Sequence, residues 1–526
     1  MANKALFKNR TRGRTPPTAD TVNEAGGVAY SFGPKHSLAQ YACTGVFNHA
    51  YYASAGEQLD NILAVLPEID PEFIAKTAIY ARQRGFMKDM PAFLLAHLTT
   101  RGVDGRHFLK MSFKQVINNG KMLRNFVQFI RSGTLGRKSL GTAPKRLVRD
   151  WILDRDPERL FKDSVGNDPS MSDLIKMVHP RPKNKKQKAL FAYLIGKEHD
   201  KRSLPKLVKQ YEKFKEDPSG DVPDVPFQMI SSLDIEDKVW KEIAKNARWQ
   251  MTRMNLNTFS RHGVFSNKKM ISMIAQRLKN PELIHKAMVF PYQLFCAYMN
   301  TAQRLDSEIP HEVTEALQDA LEISIDNVPE IDGNVVVCPD VSGSMSSPVT
   351  GHRRGSTSAV SCIDIAALVS AAMLRKNPRA KVIPFEGQVC DVRLNGRDSV
   401  MTNAQLLASI GGGSTNCSAP LQLLNSEKAK VDLVLYVSDN ESWVDSGSRY
   451  GSTETMKQWE RLKVKNPKAK MVCIDIQPYD SGQAPDRDDI LNIGGFSDSV
   501  FDVVSSFVQG HSKDHWVDVI DEIDIG

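Results

Sequence analysis

Three oxygen-bearing side chains stand at alternate positions directly after an apolar run of the chain. The run and its end are "VVVCPDVSGSM", and the three residues are Asp340, Ser342 and Ser344. A carboxylate and two hydroxyls are hard oxygen donors of the kind that Mg²⁺, Mn²⁺ and Ca²⁺ prefer. Two later segments offer further donors, Thr415 in "GGGSTNCSAP" and Asp439 in "LYVSDNES". The alternative is that the first three residues form only a turn with local side-chain hydrogen bonds.

The elements around these residues change character near residue 330. Beyond it, short β-branched runs alternate with helical segments. The runs are "NVVVCPD", "KVIPFEG", "QVCDVRL", "DLVLYVSD" and "KMVCIDIQ", and the helical segments include "CIDIAALVSAAMLRK", "APLQLLNSEK" and "TETMKQWERLK". This alternation predicts a doubly wound α/β domain with a mostly parallel sheet and helices on both faces. Because such sheets bind ligands beyond the carboxyl ends of their strands, we expect Asp340 and Asp439 at that edge.

The order of these residues resembles the metal-ion-dependent adhesion site of von Willebrand factor A domains. That family has Asp-x-Ser-x-Ser after a strand, then a threonine in a glycine-rich loop, then an aspartate after a hydrophobic strand. The resemblance implies a Rossmann-like domain that holds a divalent cation (Mg²⁺, Mn²⁺ or Ca²⁺) and leaves one coordination position for a partner's carboxylate. The implied metal ligands are Asp340, Ser342, Ser344, Thr415 and Asp439. One departure is Asn416, where related sequences often have an aspartate.

The charge is divided unevenly along the chain. The whole sequence carries a net +8, but residues 1–330 hold 50 basic against 36 acidic residues, a net +14, and the remainder holds 19 against 25, a net −6. Residues 101–150 alone hold 12 basic and 2 acidic residues. A basic density of this kind favours a polyanionic partner such as nucleic acid. The alternative is a solvated helix face, although such faces usually mix both signs.

Between about residues 55 and 325 the apolar residues recur three and four positions apart, which predicts helices. The segments concerned are "LDNILAVL", "EFIAKTAIYARQRG", "AFLLAHLTT", "KMLRNFVQFIRSG", "KALFAYLIGK", "KVWKEIAKNARWQM" and "YQLFCAYMNTAQRL". Three helix starts, at Asp70, Asp156 and Asn280, each place a capping side chain before a proline and a glutamate. A helical region this long exceeds one simple bundle, so we expect paired helices stacked as a solenoid.

Three stretches of this helical region, joined to an A domain, resemble the TROVE module of the Ro 60 kDa autoantigen family. They are "GTAPKRLVRDWI", "HPRPKNKKQKALFAYLIGK" and "VPFQMISSLDIEDKVWKEIAKNARWQMTRMNLNTFSRHGVF". The resemblance covers the chain from about residue 20 to its end, and the pairing of the two domains is its strongest part. It implies a bacterial member of the family with a flexible basic N-terminus over residues 1–20, a ring of HEAT-like repeats over residues 21–330 and an A domain over residues 331–526.

The resemblance also implies a function and a set of RNA-binding residues. Proteins of the family bind small noncoding Y RNAs on a basic outer surface, and single-stranded 3′ ends of misfolded RNAs enter a central hole. A basic pair before "DW" matches the family and shares a predicted helix face with Arg149, while "HPRP" resembles the family's His-x-Lys-Pro loop. The implied RNA-binding residues are Lys145, Arg146, Arg149, His179, Arg181, Lys183, Lys185 and Lys186.

The sequence shows no catalytic motif. It has no Walker loop and no G-x-S-x-G elbow, and "HEVTE" lacks the second histidine of a zincin. We therefore expect a monomeric scaffold without enzymatic activity that serves noncoding-RNA quality control, with an exoribonuclease as a partner. One alternative is an A domain that binds an acidic protein through its metal, with RNA incidental. The weakest alternative is a metal-dependent nuclease at Asp340 and Asp439, because a phosphodiesterase normally gathers more carboxylates or a second ion.

Cysteine usage and hydropathy predict the compartment. The seven cysteines have no C-x-x-C spacing, which is typical of free thiols in a reducing environment. The basic N-terminus lacks the apolar core of a secretory signal, and no run of about 18 apolar residues could span a membrane. We therefore expect a cytoplasmic protein.

Overall fold

The computed structural model describes residues 15–45, 47–231, 233, 235–287, 291–302, 309–326, 328–352, 360–444, 451–495, 497, 499–510 and 515–526. Residues 1–14 of the expected flexible N-terminus lie outside the described residues. The chain divides into two compact units. The α/β unit comprises residues 1–69, 290–292 and 325–522, and the helical unit comprises residues 70–289, 293–324 and 523–526.

The N-terminal segment contains two strands and two helices. They are β1 (Thr21–Val22), β2 (Val28–Ser31), α1 (Pro34–Thr44) and α2 (Ala55–Val65). A capping box starts α2, because the Ser54 hydroxyl accepts the N–H of Glu57 and the Glu57 carboxylate accepts the N–H of Ser54. The predicted helical segment "LDNILAVL" forms most of α2.

Residues 70–324 are helical, and their described part contains no strand. The helices are α3 (Pro71–Gln83), α4 (Asp89–Leu98), α5 (Gly102–Val116), α6 (Gly120–Arg131), α7 (Thr142–Asp154), α8 (Pro157–Asp163), α9 (Met171–Val178), α10 (Lys185–Leu194), α11 (Lys206–Glu216), α12 (Phe227–Ile230), α13 (Asp237–Asn246), α14 (Trp249–Met254), α15 (Leu256–Arg261), α16 (Lys268–Leu278), α17 (Pro281–Ala287), α18 (Pro291–Ala302) and α19 (His311–Ser324). The three predicted caps are confirmed, since the side chains of Asp70, Asp156 and Asn280 accept N–H groups of the following turn.

The remainder of the chain alternates strands and helices, as predicted. The elements are β3 (Val335–Pro339), α20 (Cys362–Lys376), β4 (Lys381–Val382), α21 (Val400–Ala408), α22 (Ala419–Ser426), β5 (Leu433–Ser438), α23 (Glu454–Lys465), β6 (Lys470–Asp475), β7 (Ser481–Gly482), β8 (Ile490–Gly494), α24 (Val500–Gln509) and α25 (Trp516–Asp521). Five strands form a parallel sheet in the order β4-β3-β5-β6-β8, which confirms the doubly wound architecture. Because β4 and β5 lie on opposite sides of β3, the strand order reverses at β3.

The core of the α/β unit includes residues from the N-terminal segment. Strands β3 and β5 are buried along their whole length, as expected for parallel strands covered on both faces. One core cluster joins Tyr436 and Trp459 with Tyr30 of β2. β2 also pairs with β1 and β7 in a second, three-stranded antiparallel sheet. Residues 21–69, which we expected among the helical repeats, thus lie in the compact unit of the A domain.

Besides the short strands β1, β2 and β7, which were not predicted, two strand assignments differ from the sequence prediction. The predicted strand "QVCDVRL", residues 388–394, contributes only an isolated bridge between Val389 and Phe385. It follows the edge strand β4, which is two residues long, so no neighbouring strand is available to pair with the whole run. Conversely, β8 was not predicted, because "ILNIGG" is short and glycine-rich. None of the described helices is long and apolar enough to cross a membrane.

Candidate functional site

The first candidate site lies at the carboxyl ends of the adjacent strands β3 and β5. The two strands pair in parallel, with Pro339 opposite Val437. Asp340 follows β3 directly and Asp439 follows β5 directly, so the pairing brings both carboxylates to one edge of the sheet. This edge lies at the reversal of strand order, where open α/β sheets bind ligands.

Hydrogen bonds join three of the five predicted metal ligands, Asp340, Ser342 and Ser344, into one cluster. One carboxylate oxygen of Asp340 accepts the N–H of Ser342 at 2.8 Å, and the other accepts the Ser438 hydroxyl at 2.6 Å. The hydroxyls of Ser342 and Ser344 are 3.3 Å apart. The carboxylate of Asp439 accepts the N–H of Glu441 at 3.3 Å. Because the hydrogen bond from Ser438 to Asp340 joins the ends of two strands, the arrangement is more than a turn within one loop.

Thr415 reaches this cluster on the glycine-rich loop between α21 and α22. The N–H of Gly412 donates to the carbonyl of Val341 at 3.2 Å, and the N–H of Trp443 donates to the carbonyl of Thr415 at 3.2 Å. Gly412 has a φ of +121°, a conformation that favours glycine. The glycine-rich loop is therefore hydrogen-bonded both to the first ligand-bearing loop, which follows β3, and to the third, which follows β5. Thr415 is 1% exposed.

The cluster buries negative charge without a compensating cation. Asp340 and Asp439 are fully buried, and neither forms an ion pair among the described residues. Burial, followed by the nearby Asp439, raises the pKa of Asp340 to about 7, and burial also raises the pKa of Asp439. A divalent cation would supply the missing charge, and two carboxylates with three hydroxyls fit a hard ion. No described group of three or more His, Cys, Asp or Glu could hold a metal, so the fit depends on the hydroxyls.

The side chain of Asn416, the departure from the family pattern, forms hydrogen bonds within its own loop and with the segment after β4. Its side-chain oxygen accepts the N–H and the hydroxyl of Ser418 at 3.1 and 2.8 Å. Its amide group donates to the carbonyl of Gly387 at 3.2 Å. Asn416 therefore stabilises the loop that carries Thr415.

Sequence reasoning missed polar residues that also shape this edge. Ser438 bonds to the first aspartate, and Glu441 and Asp475 are buried nearby, where burial raises the pKa of both carboxyls well above the usual range. Ser438 and Glu441 flank the aspartate of "LYVSDNES", and Asp475 ends β6, so the strand-end rule could have found all three. The N-terminal segment also contacts the loop after β6, where the N–H of Tyr52 donates to the hydroxyl of Tyr479 at 3.2 Å, and no motif in the sequence indicates this contact.

The second candidate site is a basic surface on α7 and on the loop between α9 and α10. Lys145 and Arg146 are exposed in the first half of α7. Arg149 is one turn further along the helix and lies 3.7 Å from the carboxylate of Asp150. The predicted basic face of this helix is therefore accessible to a ligand.

The loop after α9 is anchored to the other end of α7. His179 ends α9 in the left-handed conformation (φ 46°, ψ 60°), and its side chain is exposed. The buried amide of Gln187 donates to the last turn of α7 at 2.9 Å and accepts the N–H of Lys183 at 2.8 Å. The Lys183 ammonium pairs with Asp154 at 3.0 Å. The loop thus lies about 14 Å along the helix axis from Lys145.

The predicted RNA-binding residues differ in how far their charges are already paired. Six of them are exposed and form no ion pair within 4 Å among the described residues: Lys145, Arg146, His179, Arg181, Lys185 and Lys186. Lys183 and Arg149 have acidic neighbours. Arg155, between the two groups, packs on the Trp151 ring at 4.1 Å and pairs with Asp163 at 3.1 Å. These two contacts indicate a structural role for Arg155.

Comparisons with known proteins match both parts of the chain. Residues 334–508 match the Ro60 vWA domain family and residues 221–314 match the TROVE domain family. All five candidate metal ligands lie inside the first match, whereas the basic residues 145–186 precede the second. One curated relative, named RNA-binding protein RO60, from Deinococcus radiodurans, is 22% identical over 517 residues, which cover 93% of this chain and 95% of the relative.

A solved structure shares the fold over nearly the whole length. The crystal structure of the Deinococcus radiodurans RO (RSR) protein superposes with a TM-score of 0.62 at 20% sequence identity, covering 91% of this chain and 99% of that one. A TROVE domain and a Ro60-type A domain, in that order on one chain, show that it belongs to the Ro 60 kDa family of TROVE-domain proteins.

Proposed function

We propose that this protein binds RNA and acts, without catalysis of its own, as a scaffold in noncoding-RNA quality control and degradation. The observation that carries the proposal is the exposed cationic surface on α7 and on residues 179–186, whose charges are mostly not taken up by ion pairs of the described residues. Cationic surfaces of this kind bind phosphates. The relative named RNA-binding protein RO60 supports this class of ligand.

The RNAs we propose are small Y RNAs and misfolded noncoding RNAs with a single-stranded 3′ end. Lysine and arginine would neutralise phosphates, and because the narrow major groove of A-form RNA hides the base edges, shape and free ends would provide selection. The 3′ ends would enter the central hole that the family resemblance implies. An exoribonuclease is the partner that such a scaffold would serve. We keep a cytoplasmic monomer as the working state, and the seven free thiols are in keeping with a reducing compartment.

For the A domain we propose a divalent-cation site for Mg²⁺, Mn²⁺ or Ca²⁺. The residues that would hold the ion are Asp340, Ser342, Ser344, Thr415 and Asp439. When bound, the cation would neutralise the buried carboxylates and offer one coordination position to an acidic group of a protein partner. If this were the main activity, the protein would be a metal-dependent adhesion module and RNA binding would be incidental.

Gel shifts across a salt series, with Y-type RNA and a 3′-tailed RNA, test the RNA proposal. Replacing Lys145 and Arg146 by alanine should weaken binding about 10-fold and lower the salt slope by about 1 to 2, because up to two phosphate contacts are lost. His179→Ala should weaken binding less. Asp340→Ala should leave RNA affinity unchanged, because the metal cluster contributes no positive side chain to the basic surface.

The matched control is the double variant Lys268→Ala/Lys269→Ala, which removes two adjacent exposed lysines from α16. An equal loss in this control would mean that binding follows total charge and not the proposed surface. RNA affinity no higher than that for a generic polyanion would contradict the scaffold function and leave the adhesion module as the remaining function.

A further inference from the structure

The edge strand β4 carries backbone groups that the parallel sheet does not use. Ile383, directly after β4, donates its N–H to the carbonyl of Val337 at 2.8 Å, in the direction of β3. Because the backbone groups of successive residues point to opposite sides of a strand, the N–H and C=O of Val382 point away from β3. None of the described residues forms a hydrogen bond with either group. The free edge of β4 can therefore pair with a further strand.

Residues 391–394, which follow β4, form a second segment with unused backbone groups. The N–H and C=O groups of these four residues make no hydrogen bond within the part of the chain that the structure describes. Asp391 and Arg393 are exposed, whereas Val392 and Leu394 are half-buried. This alternation is typical of an extended backbone with one covered face.

Hydrogen bonds fix this segment at both ends. Before it, the N–H of Cys390 donates to the carbonyl of Pro384 at 2.8 Å. After it, the side-chain amide of Asn403 donates to the carbonyl of Asn395 at 2.8 Å. Residues 391–394 are thus held in place from their two ends, and their own backbone groups stay available.

The free edge of β4 and residues 391–394 line the same open cavity, which has a volume of about 680 Å³. Leu374 of α20 and Leu423 of α22 also line it. α22 belongs to the core cluster that contains Ile383, whereas α20 packs against β3 and β5 and none of its described residues belongs to that cluster. The two helices therefore cover opposite faces of the sheet. The cavity continues the layer of the sheet beyond β4, between these helices.

The lining of this cavity determines which kind of ligand fits. Most lining side chains are aliphatic, and the ionisable ones balance, with Lys381 and Arg393 against Asp391 and Glu427. Lys381 is already paired with Glu427 at 2.7 Å. The cavity therefore lacks the positive excess that a polyanion such as RNA requires. Unpaired N–H and C=O groups beside aliphatic side chains instead fit an extended polypeptide, whose backbone carries both groups.

We propose that this cavity binds an extended peptide of a partner protein, which pairs with β4 as a further strand of the sheet. Aliphatic side chains at alternate positions of the peptide pack between α20 and α22. At about 3.3 Å per residue, residues 391–394 offer a wall of about 13 Å, which accommodates a strand of about four residues. The site uses none of the residues assigned above to RNA or to the cation, so it is independent of both proposals.

Selection of short random linear peptides on the full chain, followed by fluorescence polarisation with the enriched peptides, tests the proposal. Peptides with aliphatic residues at alternate positions should bind wild type. Leu423→Trp fills the cavity and should abolish this binding. The matched control Leu406→Trp enlarges a leucine of α21 that is 45% exposed and does not line the cavity, so it should bind as wild type. Val382→Pro removes the outward N–H without removing a ladder bond and should weaken binding about 10-fold.

Methylation of alternate backbone nitrogens in the enriched peptides separates strand pairing from side-chain binding alone. It removes donors but keeps every side chain, so affinity for wild type should fall by about 10-fold or more, whatever the variants do to folding. The proposal is overturned if no enriched peptide distinguishes wild type from Leu423→Trp, or if methylation leaves the affinity unchanged. A wild-type dimer in light scattering that Leu423→Trp dissociates would also overturn it, because a second copy of the chain would then occupy the edge.

Discussion

The α/β unit and the helical unit bury ionisable groups of opposite sign. In the α/β unit the buried groups are acids whose pKa is raised by burial: Asp340, Asp439, Glu441 and Asp475. In the helical unit they are buried or half-buried bases whose pKa is lowered by burial: Arg82, His97, Arg124 and Arg277. The formal charge along the sequence divides in the same direction.

The two sets differ in where they lie, because each has buried atoms without a hydrogen-bond partner among the described residues, including Arg82 Nε and His97 Nε2 in the helical unit. The guanidinium of Arg124 donates to the carbonyl of Asp163 at 2.9 Å, and that of Arg277 donates to the carbonyl of Ala244 at 2.7 Å. The buried acids instead gather at one edge of the sheet, where one carboxylate oxygen of Glu441 has no hydrogen-bond partner. Because buried polar groups are normally paired, an unsatisfied acidic edge points to a ligand. The helical unit, in contrast, offers its unpaired charges on the surface.

The largest effect that we expect from this contrast is acid sensitivity of the helical unit through His97. This side chain of α4 is 8% exposed, and burial, with help from Arg101, lowers its pKa to about 4. The unfolded chain takes up a proton near its ordinary value of about 6.5, and the folded chain does so only near 4. Stability is therefore lost as the pH falls from about 6.5 to 4, by at most about 3 kcal/mol.

Calorimetric melting between pH 7 and 4.5 measures this loss. His97→Gln should melt with a smaller acid-induced decrease in Tm than wild type, because the buried titrating group is gone. His107→Gln, which removes an exposed histidine of α5, is the matched control and should behave as wild type. Equal decreases in wild type and His97→Gln would contradict the assignment.

A slightly smaller effect is expected where the α/β unit binds a cation. Mg²⁺ or Mn²⁺ at 100 times its dissociation constant should stabilise the folded state by about 2.7 kcal/mol and raise Tm at constant ionic strength. Asp340→Ala should abolish the gain, because it removes a ligand and half of the buried carboxylate pair. Asp391→Ala, which removes an exposed carboxylate of the same unit, should keep it. Stabilisation of all three proteins alike would indicate binding elsewhere.

The smallest effects should separate paired from unpaired cations on the basic surface. Lys183 shares Asp154 with Lys114, whereas Lys186 is exposed without such a partner within 4 Å among the described residues. We expect Lys186→Ala to weaken RNA binding by about 2- to 5-fold and Lys183→Ala by less than about 2-fold. Asp154→Ala should strengthen binding about 2-fold, because it frees two lysines. Filter binding at low salt measures the RNA affinity of all three variants. A larger loss of affinity for Lys183→Ala than for Lys186→Ala would contradict the prediction.

Much of the fold could be predicted because the signals are local. The capping residues of α3, α8 and α17 act within one helical turn, and the apolar runs of β3, β5 and β6 are contiguous. The convergence of Asp340 and Asp439 followed from one general rule about the ends of parallel strands. The strand predicted at residues 388–394 was wrong because pairing depends on a neighbouring strand, which no local pattern reveals.

Residue types and short spacings were enough to predict the helical and α/β regions, the ligand-bearing strand ends and the excess of basic residues, because each of these features depends on a local pattern. The folded chain was needed to show that residues 21–69 join the α/β unit and that Asp154 forms an ion pair with Lys183. These contacts join positions far apart in the chain. Their formation depends on which surfaces fit together, and not on the residues beside them in sequence.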